Sequence, residues 1–228
     1  VDTTELSSQN IEEAFGKVRS RFNEQANNAI NAVNQEQEDL RAARKIVKEQ
    51  LSAAKDLEQA LQDGDTEAAQ VSRKKLEELQ TKRNDLAEEI RTRDEENLPV
   101  RRQTVSLGNE KLASVEVPKV KLQETRTEAS ELDKPKEVKQ FIKSLKNDLE
   151  TLNAQGQELR EAKREVRDAV AEGNARIAAT EEGTLRQFEK AQETAARVSN
   201  EVQTSSRETA FNAIGNLGAD MVRQLISG

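Results

Sequence analysis

The 228-residue chain is 35% charged, 34% hydrophobic and only 2% aromatic, carries a net charge of −7, and contains no Trp, Tyr, His or Cys. This excludes disulfides, thiol nucleophiles, the usual zinc sites and serine–histidine pairs, and it argues against a thick globular core or a surface that wraps a polyanion along its length. Helix-forming Ala, Glu, Lys, Leu, Arg and Gln dominate while the apolar residues keep a regular period, which is the pattern of long helices rather than of disorder.

Near the N-terminus, Ser7 or Ser8 is placed to cap a helix whose Ile11, Phe15, Val18 and Phe22 share one face. The seam continues through Ala26, Ala29, Val33, Glu36, Leu40, Ala43, Val47, Gln50, Ala54, Leu57 and Leu61 at alternating three- and four-residue steps, the heptad pattern of a coiled coil. It is interrupted at 62–66, where two readings compete. Gly64 past a helix end, with Asp65 or Thr66 capping a second helix, folds the chain back. Alternatively one helix runs from about Leu6 to Glu96 with a single stutter, an interior Gly costing only ~1 kcal/mol. The second reading makes 1–96 one arm, similar in length to the C-terminal arm, and is the main expectation. Locally, Leu57 to Leu79 (LEQALQDGDTEAAQVSRKKLEEL) resembles the helical-hairpin segment of the PspA/ESCRT-III-like membrane-remodelling family. That resemblance implies a helical turn here, whereas the strand-like region that follows departs from the family's pattern.

From 97 to 134 the period changes to two, beginning at Leu98-Pro99. Thr104 to Leu107 alternates, Gly108-Asn109 suits a tight turn, and Leu112, Val115, Val117, Val120 and Leu122 form short β-like runs punctuated by Pro118. A two-stranded unit is marginal alone, so this tip is expected to lean on helices or on another subunit.

The range 135–228 reads as a long helix that starts at Pro135, with Glu137 near the positive end of its dipole. Val138, Ile142, Leu145, Leu149, Leu152, Gly156, Leu159, Lys163, Val166, Val170, Gly173 and Ile177 form a strict heptad seam, which slips past Ile177 and resumes at Leu185 or Phe188. At ~1.5 Å per residue, ~90 residues span on the order of 135 Å, so a rod is expected. Fold class is therefore all-α: an elongated antiparallel helical hairpin or coiled coil with a small β-containing tip. Equal arms place Ile11, Phe15 and Phe22 beside Met221, Leu217 and Phe211.

Carboxylate clusters such as Glu77-Glu78 and Glu88-Glu89 read as solvated helix faces. Asp63, Asp65 and Glu67 echo the start of a calcium loop, but Ala68 and Lys74 stand where the loop needs Gly and Glu. No catalytic, cofactor or metal residues are assigned. Eleven basic against seven acidic residues between Pro99 and Lys146 make the tip basic, with Arg101, Arg102, Lys119 and Lys121 as the residues to attract an acidic protein partner. Nucleic acid is disfavoured because the tip has no aromatic to stack on bases. At the C-terminus Phe211, Ile214, Leu217, Met221 and Leu225 form an apolar stripe, expected with Phe15 and Phe22 to make an interface.

The expected function is a non-enzymatic structural or assembly protein without cofactors, a coiled-coil subunit or spacer of a filament, secretion or virion component. Polar seam residues Glu36, Gln50 and Lys163 suggest surface that neighbouring subunits complete. The alternative is a peripheral membrane-binding or membrane-remodelling protein that inserts the C-terminal stripe. No transmembrane run or signal peptide is seen, so a soluble chain is expected; its compartment is left open, an extracellular or virion assembly being one candidate setting.

Overall fold

In a computed structural model of the protein the described residues are 7–93 and 100–197. The protein is mostly helical, with a small two-stranded antiparallel sheet, so the all-α class holds. In chain order it forms α1 (Ser8–Asp63), α2 (Thr66–Thr92), β1 (Val100–Leu107), β2 (Glu110–Pro118), a 3-10 turn (Ala129–Glu131) and α3 (Pro135–Arg197).

The ends of these elements follow from local chemistry. At the start of α1 the Ser7 hydroxyl accepts from the Asn10 N–H at 3.2 Å, which satisfies one orphan donor of the first turn. At its end Gly64 turns left-handed (φ 70°) and the Asp65 N–H donates to the Ala60 carbonyl at 2.9 Å. Asp65 is itself extended, and its Oδ1 accepts from the Ala68 N–H at 3.0 Å to cap α2. The expected through-running helix over 6–96 is therefore two helices, broken at 62–66. Asp65, which echoes a calcium ligand in the sequence, serves here as a helix cap. A two-residue turn at Gly108 (φ 62°) joins β1 to β2, as the sequence predicts, but β2 stops at Pro118, so the β-like run expected to continue through Val120 and Leu122 forms no strand. At the start of α3 the Glu137 carboxylate reaches back to the N–H groups of Asp133 and Lys134, at 3.2 and 3.3 Å, with Pro135 in the first turn.

The chain divides into two units. The first contains, among the described residues, 7–30 of α1, 103–115 of the β-hairpin and 164–197 of α3. Here α1 and α3 run antiparallel, with Arg19 bonded to Glu181 and Phe22 seated on Gly173. A Cβ added at Gly173 would overlap the Phe22 ring, so the glycine is what lets the aromatic side chain lie flat against the facing backbone. Phe15 and Phe22 are both buried within the chain. The pairing expected from equal arms, Phe22 beside Phe211, is thus corrected. The hairpin rests on α1, where the Gln25 Oε1 accepts from the Ser106 N–H at 2.9 Å, and buries Val105, Leu107 and Val115. The seam of α3 runs from buried Ile177 to Thr184, one heptad on, and then to Phe188, which is buried while Gln187 is exposed, so the slip expected past Ile177 is present and falls between Thr184 and Phe188. Thr184 was unreadable as a seam residue because it is polar; its hydroxyl donates to the Thr180 carbonyl at 2.7 Å, which satisfies it inside the helix.

The second unit contains 31–93, 100–102 and 116–163. Here α2 folds back antiparallel to α1, with Arg83 on Gln50 and Arg93 on Asp39. α3 also runs antiparallel to α1: Lys139 faces Glu58, Arg44 bonds Asn153, Gly156 meets Leu40, and Lys163 reaches Asn34 and Gln37. The fold-back of α2 explains the register. Because 119–134 returns along α2, α3 begins beside the last turns of α1 and not beside residue 96.

Gly173→Ala is expected to lower stability by about 1–2 kcal/mol, since overpacking of ~1–3 kcal/mol outweighs a helix-propensity gain of ~1 kcal/mol. Urea denaturation checks it, and the loss should shrink in the F22A background, where the overlap is gone.

Candidate functional site

The densest polar chemistry lies where an extended segment, 119–128, runs along the second unit. Pro118 ends the ladder and the residues that follow carry no heptad pattern, so the backbone must find partners elsewhere. Side chains supply them. Val120 N–H donates to Glu36 Oε2 at 2.8 Å, Lys121 N–H to Gln155 Oε1 at 3.2 Å, and Thr125 N–H to Asn84 Oδ1 at 3.1 Å. The Gln80 amide donates to the Thr127 carbonyl.

Arg83 is the centre of this arrangement. Its side chain, 3% exposed, donates through Nε to the Gln123 carbonyl at 2.8 Å, through Nη1 to Gln50 Oε1 at 3.1 Å, and through Nη2 to Asp148 Oδ2 at 2.8 Å. One planar guanidinium thus joins α1, α2, the extended segment and α3, a task that needs a fixed fork of donors and that a lysine ammonium does not match. Gln50 is fully buried and completes its amide with the Thr125 hydroxyl at 3.5 Å, at the edge of hydrogen-bond reach.

Nearby, Glu36 and Asp39 are buried on α1. Burial pushes the Glu36 carboxyl above its ordinary range, against the Val120 N–H that stabilises its anion; Asp39 adds to the rise, while Arg101 and Lys119 oppose it. Asp39 is held by Arg93 through bonds of 2.6 and 2.5 Å, and this contact raises the Arg93 pKa. Glu36 and Gln50, expected to await a neighbouring subunit, are therefore covered and partnered by the chain itself, and Lys163 bonds Asn34 and Gln37.

Beside the extended segment lies a groove of about 910 Å³, bounded by Ala87, Ile90 and Arg91 of α2 and by residues 119–126. The predicted basic tip divides here. Lys119 and Lys121 line the groove, joined by Arg126 and Arg91. Arg101 and Arg102 are not among its lining; Arg102 pairs with Glu116 across the hairpin at 3.0 Å. Arg91 was missed because it sits on a helix remote in sequence from the tip. Of the residues expected at an interface, Phe15 and Phe22 are buried in the first unit, and Phe211, Ile214, Leu217, Met221 and Leu225 lie outside the described residues. Among the described residues no helix is long and apolar enough to cross a membrane.

Compared with protein-family models, with curated proteins and with solved structures, the chain matches none of them.

Replacing Arg83 by Ala strands Gln50 and the Gln123 carbonyl, and should cost about 3 kcal/mol in urea denaturation; Arg83→Lys keeps the charge but not the fork and should cost about 1–2 kcal/mol. Equal costs for the two would show that charge alone matters. Since the folded Glu36 carboxyl titrates above its unfolded value of 4.5, its contribution to stability is full below that pH and is lost as pH rises through the folded pKa. Glu36→Gln, which stays neutral, should therefore melt higher than wild type at pH 7, with the difference closing towards pH 4 in thermal scans.

Proposed function

We propose that the protein is a non-enzymatic structural component, a coiled-coil subunit or spacer of a larger assembly, in which α1 and α3 form the arms of an elongated antiparallel hairpin. The observation that carries this reading is the use of the buried polar groups. Arg83, Gln50, Glu36 and Asp39 each tie one segment of chain to another, and each is occupied by those bonds. Such an interior serves to hold long helices in register, which is what a mechanical element requires. The antiparallel pairing of α1 with α3 inside each unit, Phe22 on Gly173 in one and Leu40 at Gly156 in the other, supports the hairpin.

With its heptad seam covered from within, the protein needs another surface for contact between copies. The sequence offers one in Phe211, Ile214, Leu217, Met221 and Leu225, apolar at helical spacing and accompanied by few charges. Association through this stripe fits a filament, a secretion apparatus or a virion component.

Size-exclusion chromatography with light scattering tests the reading. The full chain should run at a multiple of its monomer mass, and a chain lacking residues 211–228 should fall to the monomer. An unchanged mass overturns the interface, and a monomer that floats with liposomes only when 211–228 is present would favour membrane attachment instead.

A further inference from the structure

The groove between α2 and residues 119–126 has two properties that the structural reading does not use. One is an open backbone edge. The segment is anchored by side chains at Val120, Lys121 and Thr125, but among the described residues the N–H groups of Leu122 and Glu124, which alternate to the side opposite Lys121 and Thr125, donate no hydrogen bond, and no strand pairs with this stretch. An unpaired extended edge is a template for adding another strand. The other is charge. Arg91, Lys119, Lys121 and Arg126 face a single carboxylate, Glu124, among the described lining residues. Lys121 and Arg126 are exposed and make no ion pair among the described residues, while Arg91 reaches only Glu88, at 3.6 Å.

We infer that this groove is a docking site for an acidic, extended peptide segment of a partner protein, laid beside residues 121–126 with its carboxylates towards Lys121 and Arg126. The volume of about 910 Å³ suits a short stretch of chain and falls within the usual range of ligand clefts, about 300–1,000 Å³. Backbone pairing supplies affinity that does not depend on the partner's sequence, and the cations select for acidic side chains. A nucleic acid fits less well, because the lining holds no aromatic residue for base stacking. The site goes beyond the assembly reading and does not rest on it.

Fluorescence anisotropy on the full chain at low ionic strength tests this with three labelled probes: a short peptide of alternating Glu and Val, its Lys and Val counterpart, and a short deoxythymidine strand. The acidic peptide should bind, and the K121E/R126E variant should weaken it at least about tenfold. Far-UV circular dichroism checks that this variant folds; if it does not, K121Q/R126Q replaces it, with a loss of about threefold expected. Equal binding of the basic peptide, tighter binding of the deoxythymidine strand, or binding unchanged in the variants each overturns the site. So does a K121E/R126E variant whose mass by light scattering changes while the acidic peptide fails to bind wild type, since a second copy would then be the occupant.

Discussion

A buried guanidinium is costly unless its nitrogens find acceptors, and Arg83 gives each of its three nitrogens one by drawing four pieces of chain to one point. Gln50 comes from α1, the Gln123 carbonyl from the extended segment, and Asp148 from α3, while Arg83 itself stands on α2. Each partner alone would leave part of the fork unpaired. Together they set the register of the second unit, because sliding any helix by one turn, about 5.4 Å, would take its partner out of reach. The extended segment depends on this most: it has no ladder of its own and is kept in place by Arg83, Glu36, Gln155, Asn84 and Gln80.

The first unit solves the same problem by shape. There α1 and α3 meet through an aromatic ring on a glycine, Phe22 on Gly173, so dispersion and close approach act beside the Arg19–Glu181 pair. Polar joints specify which segments meet, since a mismatched donor costs more than a mismatched methyl group; the apolar contact chiefly adds stability. The long helices thus carry two kinds of instruction, polar and apolar.

Covering the polar seam from within also changes what the surface is left to do. Glu36, Gln50 and Lys163 look on a helical wheel like defects that a neighbour must repair, yet the chain brings its own partners from residues up to 129 positions away. What remains open is the edge and positive rim of residues 119–126. Basic residues that seemed to form one tip separate there according to whether they sit on the hairpin, as Arg102 does, or beside the groove, as Lys121 and Arg126 do.

Local pattern was enough for the helices, the hairpin and most of the seam. Heptad spacing, the Gly108-Asn109 turn, and Pro118 and Pro135 at element ends act over a few residues, so their consequences can be read without knowing what lies across the fold. Three features needed the tertiary structure. The break at 62–66 was one of two balanced local options, and it is decided by α2 finding Gln50 and Asp39 when it folds back. The register of α3 follows from that break and not from the lengths of the arms. The joint at Arg83 and the groove beside it combine residues from separate segments, and no spacing rule connects Arg83 to Asp148 or Arg91 to Arg126. Periodicity reports which face of a helix is buried; what that face meets is a non-local choice, made by the donors and acceptors that would otherwise be buried unpaired.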